Sequence, residues 1–236
     1  MKLSVIIPAF NEEKTIESIV DKVFHIDLPN NLSREIIIVN DCSTDRTAET
    51  LEKIKNRYGL IIYHHSTNLG KGMSVKDGLI ASTGDFVVIQ DADNEYDPRD
   101  FGVLLQPMLD GDADVVYGSR FASNRAHRVL YFWHSVGNKF LTMISNMFTN
   151  INLSDMETCY KMFTRKVVDD IKHKLVSSRF GIEPEITARV KKYRIYEVGI
   201  SYRGRTYAEG KKIGWKDGVA AFWHIVRFNI FDNQNN

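Results

Sequence analysis

The chain has 236 residues, of which 43% are hydrophobic and 26% are charged, and its formal net charge is +1. This composition excludes a disordered, collagen-like or coiled-coil protein, and the balanced charge gives no reason to expect nucleic-acid binding. Two cysteines, Cys42 and Cys159, are too few for a disulfide scaffold and are typical of a reducing compartment. No uncharged apolar stretch reaches the roughly 18 residues that span a bilayer. We therefore expect a cytoplasmic protein that is soluble or peripheral to a membrane.

Short apolar runs alternate with helical patterns through the first half of the chain. These runs predict buried strands at residues 3–8, 35–40, 60–65, 85–91 and 114–120. Apolar residues at helical spacing follow the first run from about Glu12, and a further helix is expected at residues 99–109. This alternation predicts a single α/β domain, in which helices flank a mostly parallel sheet of Rossmann-like type.

Polar residues directly follow each predicted strand. Ligands bind at the carboxyl ends of the strands in such sheets, so these residues are the candidates for function. The seven histidines show no ligand spacing, and His64 and His65 at a strand end are interpreted as structural. The candidates that remain are Asn11 and Glu12, Asp41, residues 68–71, Asp91 and Asp93, and Arg120.

The strongest local signal is Asp91-Ala92-Asp93 at the end of the fourth predicted strand. Two carboxylates separated by one residue lie on the same side of an extended backbone, and their repulsion requires a cation or a proton nearby. A site with one or two carboxylates, waters and diphosphate oxygens suits Mg²⁺ or Mn²⁺. Glu95 makes the acid cluster denser. The alternative is a solvated strand end with an aspartate that caps a helix.

Three other strand-end segments allow both a binding role and a structural one. The turn at residues 8–13 lacks the glycine fingerprint of dinucleotide sites, and the chain has no Walker-A loop. Asn11 and Glu12 either contact a base or ribose or cap the following helix. Asp41 could accept a hydrogen bond from a base or ribose. The loop that contains Lys71 either approaches a nucleotide or forms an ordinary turn.

The second half of the chain departs from the alternating pattern. Residues 128–154 hold only two formally charged residues, and residues 219–231 are strongly aromatic. Core packing is the usual explanation of apolar residues on one helix face, but a helix lying in the headgroup layer of a membrane is the alternative. The predicted helix face consists of Leu130, Trp133, Val136, Phe140, Ile144 and Met147, and the tail carries Phe222, Trp223, Phe228 and Phe231.

Several motifs occur in an order that resembles one enzyme family. They are V-I-I-P-A-x-N-E-E from residue 5, N-D-x-S-x-D-x-T from residue 40, N-x-G-K-G from residue 68 and D-A-D from residue 91. Together they resemble the family-2 inverting glycosyltransferases of the GT-A fold over residues 3–120. Residues 155–163 and 205–212 are similar to the polyprenol-phosphate hexose synthases, of which the dolichol-phosphate mannose and glucose enzymes are examples.

The resemblance implies roles for individual residues. The nucleoside pocket would be lined by Pro8, Ala9, Asn11, Glu12 and Asp41. Further contacts to the nucleotide sugar would come from Lys71, Asp91, Ala92, Arg120, Lys211 and Lys212. The divalent cation would be bound by Asp91, Asp93 and Glu95, although the family's synthases often carry Gln where this chain has Glu95. Asn40 and Cys42 replace an Asp and a Gly that commonly flank the nucleoside-binding aspartate.

The implied reaction moves a hexose from a GDP- or UDP-sugar to a polyprenyl or dolichyl phosphate. Asp93, through a bound cation, and Arg205 would stabilise negative charge on the departing diphosphate. A lipid phosphate is already anionic and needs no strong general base. A saccharide hydroxyl does need a base, for which Asp155 or Glu157 is the candidate. Otherwise these two acids belong to a solvated loop.

Residues 1–120 are expected to bind the nucleotide sugar and residues 121–236 the acceptor. The expected partners are a nucleotide sugar, a lipid phosphate and either the cytoplasmic face of a membrane or a membrane protein, with no nucleic acid. One alternative is the same fold acting on a saccharide hydroxyl in cell-surface polysaccharide or glycan synthesis. The other is a non-catalytic protein that binds nucleotide sugars.

Overall fold

The computed structural model describes residues 1–122, 128–129, 131–205 and 215–232. The strands in this part of the chain are β1 (Lys2–Ala9), β2 (Ser33–Asn40), β3 (Ile61–His64), β4 (Phe86–Ile89), β5 (Val115–Ser119), β6 (Lys161–Thr164) and β7 (Ile195–Gly199). The helices are α1 (Ile16–His25), α2 (Thr47–Tyr58), α3 (Lys71–Ala81), α4 (Phe101–Leu109), α5 (Phe132–Thr149), α6 (Arg165–Ile171), α7 (Ile182–Val190) and α8 (Trp215–Val226).

The seven strands form one sheet in the order β3-β2-β1-β4-β6-β5-β7. Strands β3, β2, β1 and β4 run parallel to one another, and β5 is parallel to β7. Strand β6 is antiparallel to both β4 and β5. The predicted mostly parallel sheet is therefore confirmed, and each of the five predicted strands is present within a few residues of its predicted ends. Strands β6 and β7 add to that prediction.

The buried strands have the composition that a parallel sheet covered on both faces requires. Leu3, Ile6 and Ile7 of β1 are each 0% exposed, so apolar side chains point into the core on both sides of the strand. Helix α1 covers one face with the apolar side chains that its sequence spacing predicts. It begins at Ile16 rather than near Glu12, after a turn at residues 13–15 in which the Glu12 carbonyl accepts from the Thr15 and Ile16 N–H groups.

The start of α3 is held tightly against the segment that precedes α7. The Gly72 N–H donates to the Ser178 carbonyl at 3.0 Å. A Cβ atom at Gly72 would lie 2.1 Å from the Ser177 carbonyl oxygen, and one at Gly70, where φ is +91°, would lie 2.2 Å from the Ser178 carbonyl oxygen. Neither position has room for a side chain, so the N-x-G-K-G motif is required by close backbone packing as well as by any ligand.

Helix α5 reverses the usual distribution of polar and apolar side chains. Its buried residues are Thr142, Ser145 and Thr149. Trp133 is 79% exposed and Met147 is 73% exposed. The core interpretation of the predicted apolar face is thus wrong for most of its length, although Ile144 does pack on the core. Leu130 lies outside the described residues. None of the helices in the described part of the chain is long and apolar enough to cross a bilayer.

We predict that Gly72→Ala destabilises the protein by about 1 to 3 kcal/mol, because the new Cβ would overlap a backbone carbonyl that cannot easily move. Gly102→Ala is the matched control, since Gly102 is also the second residue of a helix but has no atom within 4 Å of an added Cβ. The control should be neutral or stabilising by up to about 1 kcal/mol. Urea unfolding of both variants measures the difference, and equal stabilities would contradict the packing argument.

Candidate active site

The loops that follow β1 and β2 are joined by hydrogen bonds at the carboxyl edge of the sheet. Asn11 adopts a left-handed backbone with φ of 56°, and its side-chain oxygen accepts from the Thr44 N–H at 2.8 Å. The Glu12 N–H donates to Thr47 Oγ1 at 2.8 Å. Pro8 and Ala9 are the last residues of β1 and lie directly before this junction. Asn11 and Glu12 therefore have structural contacts at the position where the resemblance implies nucleoside binding.

The first acid of the D-A-D motif is held by a lysine. Lys71 Nζ lies 2.9 Å from Asp91 Oδ1 and 3.0 Å from Glu183 Oε1. Burial alone would raise the pKa of Asp91, but the Lys71 ammonium outweighs it and lowers that pKa. The same two carboxylates raise the pKa of Lys71 well above its usual value, although burial opposes this. This group of charges keeps Asp91 ionised and Lys71 protonated.

The second acid of the motif is held by an arginine. Arg205 Nη2 donates to Asp93 Oδ2 at 2.6 Å, and its Nε donates to Glu95 Oε1 at 2.8 Å. Tyr202 donates its hydroxyl to the other oxygen of Glu95. Burial, together with the neighbouring Asp91 and Glu95 charges, raises the pKa of Asp93 to about 7, although Arg205 acts in the opposite direction. A positive charge beside Asp93 is therefore strongly favoured.

The three acids do not form a single cluster of metal ligands. Asp91 faces Lys71, whereas Asp93 and Glu95 face Arg205. Among the described residues, no group of three or more His, Cys, Asp or Glu side chains is placed to hold a metal ion. The donor set nevertheless fits a hard divalent cation, because Mg²⁺ needs only one or two carboxylates when waters and phosphate oxygens complete its shell. The Arg205 guanidinium already occupies the cation position beside Asp93.

Arg120 and Asp155 form a buried ion pair. The Asp155 carboxylate is 0% exposed and accepts from Arg120 Nε at 2.7 Å, Arg120 Nη2 at 2.6 Å and Asn138 Nδ2 at 3.0 Å. Burial would raise the pKa of Asp155, but Arg120 lowers it. The solvated-loop interpretation of Asp155 is therefore wrong. The Arg120 guanidinium, which the family resemblance places in contact with the nucleotide sugar, is paired here with the Asp155 carboxylate.

Two buried carboxylate oxygens accept no hydrogen bond from any described residue. They are Glu157 Oε1 and Glu183 Oε2. Burial and the neighbouring Glu183 charge raise the pKa of Glu157 to about 8. Lys161, 1% exposed, also lies within this buried group, but it donates to the carbonyls of Met156 and Thr158 instead of to a carboxylate. The solvated-loop interpretation is thus wrong for Glu157 as well. Unpartnered acceptors of this kind suit the hydroxyl groups of a bound ligand.

Several residues of the site were not found by sequence reasoning. Glu183 lies at the start of α7, about 90 residues beyond Asp91, and has no local motif that would connect the two. His65 contacts Asp41, a pairing that only the neighbouring positions of β2 and β3 produce. Lys211 and Lys212 lie outside the described residues.

The fold and the paired acids at the strand end define a glycosyltransferase of the GT-A class. The chain belongs to glycosyl transferase family 2, whose sequence pattern matches residues 4–172. The family resemblance of the sequence motifs is thereby confirmed.

Relatives with assigned names are similar over nearly the whole chain. A dolichyl-phosphate beta-glucosyltransferase of Trichomonas vaginalis is 26% identical over 249 residues, covering 99% of this chain and 74% of the relative. A dolichol-phosphate mannosyltransferase of Pyrococcus furiosus is 26% identical, covering 90% of this chain and 61% of the relative. A UDP-N-acetylglucosamine–dolichyl-phosphate N-acetylglucosaminyltransferase of Methanococcus voltae is 25% identical, and the match covers 96% of this chain and 95% of the relative.

Solved structures agree on the fold. Glucosyl-3-phosphoglycerate synthase from Mycobacterium tuberculosis, crystallised with Mn²⁺, UDP and glucosyl-3-phosphoglycerate, superposes with a TM-score of 0.72 at 19% identity, covering 97% of this chain and 80% of that one. The same enzyme with Mg²⁺ and UDP gives a TM-score of 0.69 at 20% identity. At this level of identity the likeness is one of fold.

We predict that Glu157 makes stability depend on pH. Its pKa of about 8 in the folded protein is above the usual value, so the folded state retains a proton that the unfolded chain releases. The stabilisation that comes from this retained proton is fully present below pH 4.5 and is lost as the pH rises to about 8. Glu157→Gln keeps the size and removes the titration. Between pH 6 and 8 the free energy of unfolding, measured with denaturant, should therefore fall less steeply with pH in the variant than in the wild-type protein. The difference in slope should be up to about 1 kcal/mol per pH unit. Parallel curves would contradict this assignment.

Proposed function

We propose that this protein transfers a hexose, with inversion, from a nucleotide diphosphate sugar to a polyprenyl or dolichyl phosphate. The observation that carries the proposal is the D-A-D acid pair at the end of β4, each acid of which has a cationic side chain beside it. The names of the relatives from Trichomonas vaginalis, Pyrococcus furiosus and Methanococcus voltae support a lipid phosphate as the acceptor. Residues 1–120 supply most of the donor site, to which Glu157, Glu183 and Arg205 also contribute, and the rest of residues 121–236 bind the acceptor.

In this proposal the charged side chains around the acid pair stabilise the leaving group. The bond between the anomeric carbon and the diphosphate breaks, and negative charge grows on the diphosphate oxygens. Lys71 and Arg205 lie at either end of the acid pair, where both can approach those oxygens. Arginine suits this task because its planar group contacts two phosphate oxygens at once. A Mg²⁺ or Mn²⁺ ion would be held by Asp93 with Asp91, and it would supply Lewis-acid stabilisation of the diphosphate when bound.

The states of the two acids in segment 155–157 favour a phosphate acceptor over a saccharide hydroxyl. Asp155 is occupied by Arg120 and Asn138, and its lowered pKa makes it a weak base. Glu157, with a pKa of about 8, holds a proton at neutral pH. Neither acid is ready to deprotonate a hydroxyl, whereas an acceptor phosphate attacks the anomeric carbon with an oxygen that is already anionic. In this scheme Glu157 and Glu183 hold donor hydroxyls rather than act as bases.

A groove beside α5 offers a path for the lipid chain. It has a volume of about 700 Å³ and is lined by Phe121, Lys139, Met143, Met147 and Leu153 together with asparagine side chains. Phe121 directly follows Arg120 in the chain, and Ser154 of the same groove precedes Asp155. In the proposed arrangement the acceptor phosphate lies at the end of the groove beside Arg120 and Asp155, and its hydrocarbon lies against the apolar side chains.

The exposed apolar side chains of α5 and α8 support contact with a membrane surface. The two helices pack together, and both leave aromatic residues in solvent. We name this region the α5–α8 surface; it consists of Phe132, Trp133, Val136, Phe140, Met143, Met147, Val219, Phe222, Trp223 and Phe231. Helix α5 contains no acidic residue. Exposed aromatic side chains on a helix that has no acidic residue are typical of surfaces that enter the headgroup layer.

The proposed reaction is tested by incubating the protein with labelled UDP- and GDP-hexoses, Mg²⁺ or Mn²⁺, and a short polyprenyl phosphate. We expect label to enter the organic phase only when the divalent cation is present, and Asp93→Asn to reduce that transfer at least a hundredfold. Asp112→Asn, which changes an exposed acid of the α4–β5 loop, is the control. Transfer to a saccharide instead, or donor binding without any transfer, would contradict the proposal.

We further predict that Phe132→Ser and Trp133→Ser in combination lower binding to vesicles that contain anionic lipid by about tenfold or more, because both side chains are largely exposed on the α5–α8 surface. Transfer to a short, water-soluble acceptor should be unchanged. Val176→Ser is the matched control, since Val176 is a 51% exposed apolar residue outside these helices. Co-sedimentation measures the binding, and an equal loss in the control would contradict this role.

A further inference from the structure

His65 lies between two carboxylates just beyond β3. Its Nδ1 atom is 2.7 Å from Asp41 Oδ1, and its Nε2 atom is 3.0 Å from Asp77 Oδ2. The His65 side chain is 9% exposed, whereas Asp77, on α3, is 40% exposed. An ionised carboxylate only accepts hydrogen bonds, so both contacts are made together only when both ring nitrogens carry protons. The geometry therefore favours the positively charged ring.

The Asp41 carboxylate joins this histidine to the start of α3. Its Oδ1 atom also accepts from the Leu69 N–H at 2.8 Å, and its Oδ2 atom accepts from the Gly70 N–H at 2.7 Å. A carboxylate offers about four lone-pair positions, of which these contacts use three. One position on Oδ2 remains for an external donor such as a base or ribose. His65 and the two backbone N–H groups fix the orientation of the Asp41 carboxylate and therefore the direction in which this free position points.

The same backbone segment determines where the Lys71 ammonium lies. Gly70 is held by Asp41 on one side, and Gly72 is held by the Ser178 carbonyl on the other. Lys71 stands between these two glycines, and its Nζ atom reaches Asp91 and Glu183. A continuous set of contacts thus runs from Asp77 through His65 and Asp41 to Lys71.

We propose that His65 is a positioning residue for donor binding. Its charged ring, oriented by Asp77, neutralises the buried Asp41 carboxylate and keeps the Leu69–Gly70 turn in place, so that Lys71 is directed toward the donor diphosphate. The loss of this charge leaves Asp41, which is 3% exposed, with only backbone donors, an arrangement that favours rearrangement of the turn. This inference rests on the proposed function, because it assumes that a nucleotide diphosphate binds beside Lys71.

The test compares Asp77→Asn, His65→Asn and His65→Leu, using the UDP- or GDP-hexose that the wild-type protein transfers. Asp77→Asn should raise KM for the donor by about three- to tenfold with kcat nearly unchanged. His65→Leu should raise it by more than tenfold. His65→Asn keeps one donor near Asp41 and should recover part of that loss. His25→Leu is the control, because His25 also contacts an aspartate but is 61% exposed on α1.

A spectroscopic measurement separates positioning from mere stability. Nitrogen-15 NMR of the wild-type ring should detect a hydrogen bond between each His65 nitrogen and its carboxylate, and Asp77→Asn should weaken the one at Nε2. Thermal unfolding of each variant shows whether the protein is folded at the assay temperature. If wild-type protein transfers hexose while the folded Asp77→Asn and His65→Asn variants keep the wild-type KM, the inference is overturned. If wild-type protein neither binds nor transfers a nucleotide sugar, the proposed function fails instead.

Discussion

The repulsion between two carboxylates at the end of a buried strand is the constraint on which the site depends. Asp91 and Asp93 cannot both remain ionised there unless positive charge is brought to them. Lys71 meets the first acid from the start of α3, and Arg205 meets the second from the segment beyond β7. The distant parts of the chain that supply these cations are thereby drawn to one edge of the sheet, where a nucleotide diphosphate would meet both charges.

Three other buried carboxylates follow the same rule. Asp155 is tied to Arg120, Glu185 is tied to Arg189, and Asp41 is tied to His65. Such pairs cost desolvation, and removing one partner leaves an expensive unpaired charge. Glu157 and Glu183 differ, because each keeps one buried oxygen without a partner from the described residues. Paired carboxylates maintain the architecture, and in the proposed function the two incompletely paired ones would meet a ligand.

In the proposed function, the α5–α8 surface would contact the membrane apart from the residues that meet the nucleotide sugar. Polar side chains of α5 face the core, and its aromatic side chains face solvent, which is the reverse of a helix that contributes mainly to folding. A surface of this kind adds little to the stability of the isolated protein. Met143 and Met147 belong both to this surface and to the lining of the groove that contains Phe121 and Ser154, so the proposed lipid path would begin at the proposed membrane surface.

The sequence by itself determined membership of glycosyl transferase family 2, the five strands β1 to β5 and the acid pair at the end of β4, because each is a local pattern of apolar runs and strand-end motifs. Only the tertiary structure decided that β6 enters antiparallel between β4 and β5, since a strand of four residues carries too little pattern to specify a partner. It also decided that Glu183 joins Lys71, that His65 joins Asp41, and that Arg120 pairs with Asp155. These contacts span 24 to 112 residues of sequence, and they form because buried charges require partners wherever the fold brings them.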